Sequence, residues 1–504
     1  MTPILVRRFL LDHARNRTTA VVLVLVPVAF VLVAAPTLAD AARLLGGRGG
    51  GPAVEVATAG WAAAFVTGMA MYLQVTDSRE ADRRLVLAGA KAVKLAAARV
   101  LVGLVLAAVS AAAALGALVL RVRVDQPLRV ALGAFLAAVA YLVVGAVVGT
   151  LVRVPVNGAV LILFIWIVDV FFGPNLSGTA TPALRLMPLH YVSLWTTRVA
   201  SGHAGRAGDL GLALGWAAGS LLVTAMVIAL GARPHRRRTG TSRPGSARDQ
   251  LGAALGVGWR ELRRNPVLWV LLALVPAVFV LLSAAITPSG ATPVAVVEHG
   301  VRLTQVFDPA KIHAGTMAPI AVASLAALVG VFLSVDSGPA DRRLVLAGLR
   351  PGALAGARGL VVAAAALGVT AVTAGVTATV FDAQQWPAYV LANTLLALIY
   401  AALGALAAPL LGRVTGVFVA FLGPFLDVGL AQSPMLRAEP AQWARVLPGY
   451  GPVRMVVDAG LTGSFDATAE LLLTVAWVLA LGAVSAVAMR HQLRSRARVN
   501  FITS

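Results

Sequence analysis

The chain has 504 residues, 59% of them hydrophobic and 12% charged, with a mean hydropathy of +0.86 and no cysteine. A soluble domain carries roughly 25% charged residues, so this composition speaks against a water-soluble enzyme, and the missing cysteines exclude disulfides, thiolate metal sites and cysteine nucleophiles. Lys and Arg number 42 against 21 Asp and Glu, a formal net charge of +21, and only Lys91, Lys94 and Lys311 are lysines.

The apolar residues fall in runs of about 20, the length that crosses a ~30 Å hydrocarbon core as a helix, without the period-two alternation of a barrel wall. The chain opens on a basic amphipathic segment in which Val6, Phe9 and Leu10 share one helical face and Arg8, Asp12 and Arg15 the other. Arg7, Arg8, Arg15 and Arg17 ahead of an apolar run also fit a secretory signal. That run is too long for one, so residues 18–39 read as the first span. Further spans are predicted at 59–75, 93–119, 129–151, 155–173 and 210–232. The stretch 233–250 is basic, contains Pro, Gly and Ser, lacks apolar periodicity and reads as a linker. Beyond it a second amphipathic segment presents Leu251, Leu255, Trp259 and Leu262 beneath Arg260, Arg263 and Arg264. Six more spans follow at 266–286, 316–335, 353–380, 387–411, 414–432 and 467–489. The expectation is an all-α polytopic membrane protein of about twelve transmembrane helices in two six-helix halves, 1–232 and 251–504. Each half is preceded by an interfacial helix.

Charge placement explains the basic balance. With the amino terminus in the cytoplasm, the segments on that side hold 29 Lys and Arg and eight acids, and the rest of the chain holds 13 of each. The whole excess lies on one face, as the positive-inside rule requires, and nucleic-acid binding is not needed. Both termini are then cytoplasmic.

The chain also repeats itself. DSREADRRLVLAG, Asp77 to Gly89, returns 259 residues later as DSGPADRRLVLAG, Asp336 to Gly348, with 11 identities in 13. Weaker echoes keep the order: Arg15 with Arg264, Pro27 with Pro276, Tyr141 with Tyr400, Gly145 with Gly404, Asp169 with Asp427 and Pro188 with Pro448. Six spans per half is an even number, so both halves insert the same way up as a parallel repeat.

The repeated loops are the first candidate sites. Positive topogenic charge alone does not require two aspartates, a Leu-Val-Leu run and a glycine in the same order twice. A short helix with Asp77 and Asp82 near its start, and Arg83 and Arg84 turned outward, fits a docking element better. Asp169 and Asp427, toward the outer ends of spans 5 and 11, are candidate pathway carboxylates, because charge in hydrocarbon usually faces a cavity or a partner. Segments 181–199 and 433–457 are too polar and Pro-broken to span. They read as interfacial or re-entrant helices capping the outer mouth, with Tyr191, Trp195, Trp443 and Tyr450 at headgroup depth. The lysines lack the GxxxxGK[ST] context of a P-loop, the seven histidines form no i,i+4 pair, and there is no HExxH and no GxSxG elbow. Neither an enzyme nor a metal site is expected.

This arrangement resembles the type-2 ABC exporter permeases: an amphipathic elbow, six spans, a coupling element in the first inner loop and a Pro- and aromatic-rich segment between spans 5 and 6. The DSxxADRRLVLAG string and fused length resemble actinobacterial single-chain permeases, often described as polyketide-antibiotic or multidrug exporters. The resemblance implies that Asp77, Asp82, Arg83 and Arg84, with Asp336, Asp341, Arg342 and Arg343, contact a separate cytoplasmic ATPase present in two copies. ATP and Mg would be bound there and not by this chain. The substrate would be hydrophobic or amphipathic, the location a bacterial plasma membrane, and the segments with Tyr191, Trp195, Trp443 and Tyr450 an outer gate. The second loop departs by having Gly338-Pro339 where the first has Arg79-Glu80. A major-facilitator carrier is the alternative, since it too has two parallel halves with an Asp-Arg motif in these loops. Its flanking glycines are missing here, and it needs no second amphipathic helix.

Overall fold

The computed structural model describes residues 2–15, 17–44, 50–152, 155–176, 185–199, 205–231, 266–335 and 349–502, with isolated positions within 252–263 and 341–345. The chain divides into two compact units, Met1–Arg238 and Thr239–Ser504. The first contains α1 (Thr2–Arg15), α2 (Arg17–Leu44), α3 (Gly50–Leu87), α4 (Ala92–Arg121), α5 (Pro127–Leu151), α6 (Pro155–Phe171), α7 (His190–Thr197) and α8 (Gly205–Gly231). The second contains α9 (Pro266–Ile286), strands β1 (Thr292–Glu298) and β2 (Val301–Phe307), α10 (Pro309–Val335), α11 (Pro351–Thr377) and α12 (Trp386–Pro424). After these come a π-helix (Phe425–Ala431), a 3-10 turn (Gln442–Val446), α13 (Tyr450–Leu461) and α14 (Thr468–Ile502).

Among the described residues ten helices are long and apolar enough to cross a membrane, and two shorter apolar helices, Asn157–Phe171 and Thr415–Ala431, stand where spans 5 and 11 were expected. The protein is an all-α polytopic membrane protein. In each unit one helix is the hub: the spanning windows of α3 and of α10 are both 89% buried. Glycines let these hubs meet their neighbours backbone to backbone. A Cβ on Gly145 of α5 would collide with the Gly68 carbonyl of α3, and one on Gly404 of α12 with the Ala327 carbonyl of α10. Such small-residue contacts are what hold helices together where lipid removes the hydrophobic drive to associate.

Two details depart from the expected elements. The loop after span 2 is not a separate short helix: α3 runs unbroken through Asp77 to Leu87, and the turn follows at Gly89, whose φ of +93° suits only glycine. Asp77 and Asp82 therefore do not cap a helix start. Spans 10 and 11 are joined without an assigned break in α12, yet the Tyr400 hydroxyl reaches the Asp427 carboxylate. A straight helix would set residues 27 apart about 40 Å from each other, so the chain must fold back on itself between them. The stretch with Pro409 and Gly412 lies in that interval.

Residues 292–307 add an element the sequence reading did not foresee, an antiparallel hairpin with Thr292 opposite Phe307 and Glu298 opposite Val301. Its two-residue turn, His299 (φ 52°) and Gly300 (φ 74°), has the left-handed backbone of a type I′ turn, whose twist matches that of the strands. The hairpin precedes α10 and the DRR loop follows it, so the two lie at opposite ends of a 27-residue helix. These ends are called the far end and the loop end below.

Candidate functional site: paired loops and far-end clamps

At the loop end of the first unit Asp82 is turned inward. Its Oδ1 accepts from Arg99 Nη2 of α4 at 2.8 Å, its Oδ2 accepts from Ser78 Oγ at 3.1 Å, and both members of the ion pair have side chains only 8% exposed. The Arg99 guanidinium lies 3.8 Å from the ring centroid of Phe9, a buried residue of α1. The apolar face predicted for α1 is thus seated on the first turns of α4, with Arg8, Asp12 and Arg15 exposed. Asp341 repeats the arrangement in the second unit: Arg358 of α11 donates from Nη2 at 2.7 Å and from Nε at 3.2 and 3.3 Å, with both residues buried.

This changes what the loops can offer a partner. Of the predicted docking residues, Asp82 and Asp341 are buried in intramolecular ion pairs. Asp77 and Arg84 are exposed and Arg83 is half-buried. Arg84 pairs loosely with Glu80 at 3.7 Å in full solvent, and Arg79 donates to the Val152 carbonyl at 3.3 Å. Asp336, Arg342 and Arg343 lie outside the described residues.

The far end carries a second repeated constellation. Asp169, 1% exposed, accepts from the Tyr141 hydroxyl of α5 at 2.9 Å and from the Leu189 amide at 3.1 and 3.3 Å. Asp427, in the π-helix, accepts from the Tyr400 hydroxyl at 2.5 Å, the Gly449 amide at 2.8 Å and Gln432 Nε2 at 3.2 Å. Leu189 and Gly449 each follow a proline and form the N-caps of α7 and α13. Each carboxylate therefore sits where the first amides of a helix lack intrahelical partners and the dipole favours negative charge. The candidate pathway aspartates are thus clamps that hold the polar far-end helices onto spans 4 and 5 of their unit. The clamps also explain the short spans. Helix α6 covers 17 residues, about 26 Å, because the chain must turn just beyond Asp169 to bring Leu189 back.

The four aromatics expected at an outer gate all lie on these far-end segments. Tyr191 and Trp195 on α7 are half-buried, and Arg129 covers the Trp195 ring at 5.0 Å while donating to its carbonyl at 2.8 Å. Tyr450 opens α13 half-buried, whereas Trp443 stands 63% exposed. In the second unit the hairpin caps this region. Asp466 receives the His299 and Gly300 amides of the turn at 2.9 and 3.1 Å, Arg302 pairs with Glu439 at 3.3 Å, and Arg454 donates to the Ala295 carbonyl at 2.9 Å. Hydrogen bonding from Ser464 and from the turn amides holds the Asp466 carboxyl below its usual range, while burial depresses the Arg454 guanidinium. Among the described residues no group of three His, Cys, Asp or Glu could hold a metal ion.

The sequence reading missed Arg99 and Arg358. Their signal was present, since an arginine 17 residues after the loop aspartate recurs in both halves at the 259-residue offset. Counted only as positive-inside charge, they concealed their partners.

Residues 57–232, from within α3 through α8, match the family model described as ABC-2 family transporter protein. No curated protein matches the chain. The match supports an ABC-2 type permease, and the second unit carries the same clamp and ion pair in the same order.

Proposed function

We propose that the chain is the membrane subunit of an ATP-driven exporter, with two permease halves fused in one polypeptide. The family match over 57–232 carries this reading, and the repeat of its polar constellations in the second unit extends it along the chain. An ABC-2 permease works with an ABC ATPase, so hydrolysis belongs to a separate subunit in two copies, docked on the loop end in the cytoplasm of a bacterial plasma membrane. Arg84 and Asp77, exposed, and the half-buried Arg83 are the groups offered there in the first unit. The lipid-facing helices are apolar and the interior holds few charges, which suits a hydrophobic or amphipathic drug-like cargo. The two far-end helices, α7 and α13, are the proposed outer gate, each latched by its aspartate.

Affinity purification in mild detergent from the native host tests this. A nucleotide-hydrolysing subunit is expected to copurify, and to be lost from an Arg83→Glu/Arg84→Glu variant that still inserts. Proton-driven transport by the lone chain in vesicles would instead favour a secondary carrier.

A further inference from the structure

The polar groups at the loop end do more than sit near a docking surface. Asp82 lies five residues before the end of α3, and Arg99 lies two turns into α4. Their bond clasps the two helices across the Gly89 turn. Because both side chains are almost free of solvent, the pair is not screened as a surface pair would be, and pulling it apart would strand a buried charge. The third member is α1, whose Phe9 ring lies under the Arg99 guanidinium in the geometry of a cation–π contact. In the second unit the contact set is built differently to the same end. Leu255 from the segment before α9, Leu344 and Val345 from the loop, Leu354 and Ala357 from α11, and Met489 from α14 form one apolar cluster beside the Asp341–Arg358 fork. Composition elsewhere in this stretch has drifted, with Lys94 answered by Ala353, yet Arg99 is kept as Arg358. Topogenic charge needs only to be basic and near the surface. These two arginines are buried and paired.

We propose that Arg99 and Arg358 are positioning residues that tie each loop to the third span of its unit, and that Arg99 also ties it to α1. Force applied at the loop then moves α4 and α11. This rests on the reading of the loops as the docking elements of an ATPase. That subunit touches the exposed groups, and the buried pair passes its movement on.

The test uses the full chain purified with its ATPase and the absence of native cysteine. A single Val119→Cys, at the far end of α4 and exposed, is labelled with a membrane-impermeant maleimide, with and without ATP plus vanadate. The otherwise unmodified chain is expected to retain the ATPase and to change its labelling rate with nucleotide. Asp82→Asn/Arg99→Gln, which removes both charges together, is expected to retain the ATPase and to lose the nucleotide-dependent change, while Arg99→Lys preserves it. Should the double variant fail to insert, Phe9→Ala, which removes only the elbow contact, is expected to weaken the change. Persistence of the full change in the double variant (or in Phe9→Ala, if that alone inserts) overturns the proposal. So does loss of the ATPase from that variant, which would make the pair part of the docking surface itself. A labelling rate that ignores nucleotide in a Val119→Cys parent that holds its ATPase overturns it as well. A parent chain that retains no ATPase would instead sink the exporter reading.

Discussion

The two units share two buried polar constellations and differ in what covers their far ends. Both hold an Asp–Arg pair across the loop-end turn and a Tyr–Asp–amide clamp on a far-end helix. In the first unit five residues separate α2 from α3. In the second, 22 separate α9 from α10, and they carry the hairpin. The repeat offset records the same event: Arg15 and Pro27 match residues 249 further on, whereas Asp77, Tyr141 and Gly145 match residues 259 further on. The second half is thus ten residues longer than the first between Pro276 and Asp336. The contacts that survived duplication are those whose loss would leave a buried charge or a collision of backbones. The far end, where water can satisfy whatever is exposed, was free to acquire a cap.

That comparison can be broken at several points. The largest effect is expected at Arg358→Ala, which strands the buried Asp341 carboxylate and should cost about 3–5 kcal/mol in detergent unfolding. Arg99→Ala should cost less, because Arg99 makes one hydrogen bond to its aspartate where Arg358 makes three. An equal or greater loss at Arg99 would contradict the ranking of the two pairs. Next, Gly145→Ala and Gly404→Ala should each cost about 1–3 kcal/mol by prising the hub helix from its partner. Gly116→Ala, with open space around it, should be neutral or slightly stabilising.

Smaller effects sharpen the clamps. Tyr141→Phe and Tyr400→Phe should each lose about 1 kcal/mol, because a buried carboxylate keeps only its remaining donors. The loss should be the lesser at Tyr400, since Asp427 also has Gln432. The smallest effect is local to the cap. Asp466→Ala should speed amide exchange in 292–307 and leave the first unit unchanged. Because the folded protein holds this carboxyl below its ordinary value near 3.8, its contribution is complete above that pH and fades as the pH falls through the depressed value. The difference between variant and parent should therefore be present at neutral pH and close in strong acid. A difference that grew on acidification would assign the tether to another group.

The apolar runs, the amphipathic α1, the duplication and the positions of Asp82 and Asp169 along the chain were legible in the residues. Each rests on a pattern local in sequence, such as a 20-residue apolar run, a helical face or a repeated string. The hairpin was legible in principle, as a His-Gly pair between two β-branched runs at the place where the offset shifts, but it is short and lies among spans that dominate the hydropathy.

What remained hidden was direction. Composition placed Asp82 beside Arg83 in one basic loop, and only the folded α3 and α4 show that the aspartate turns inward to Arg99 while Arg84 turns out. The sequence likewise set Asp169 and Asp427 near the ends of their spans. Whether they face a passage or a helix terminus depended on Leu189 and Gly449, some 20 residues further along, being folded back onto them. One-dimensional patterns determine which segments leave water, because burial of apolar surface is nearly additive along a helix. Which charge meets which donor is decided by distances of a few ångströms between segments far apart in the chain, and only the tertiary structure sets those.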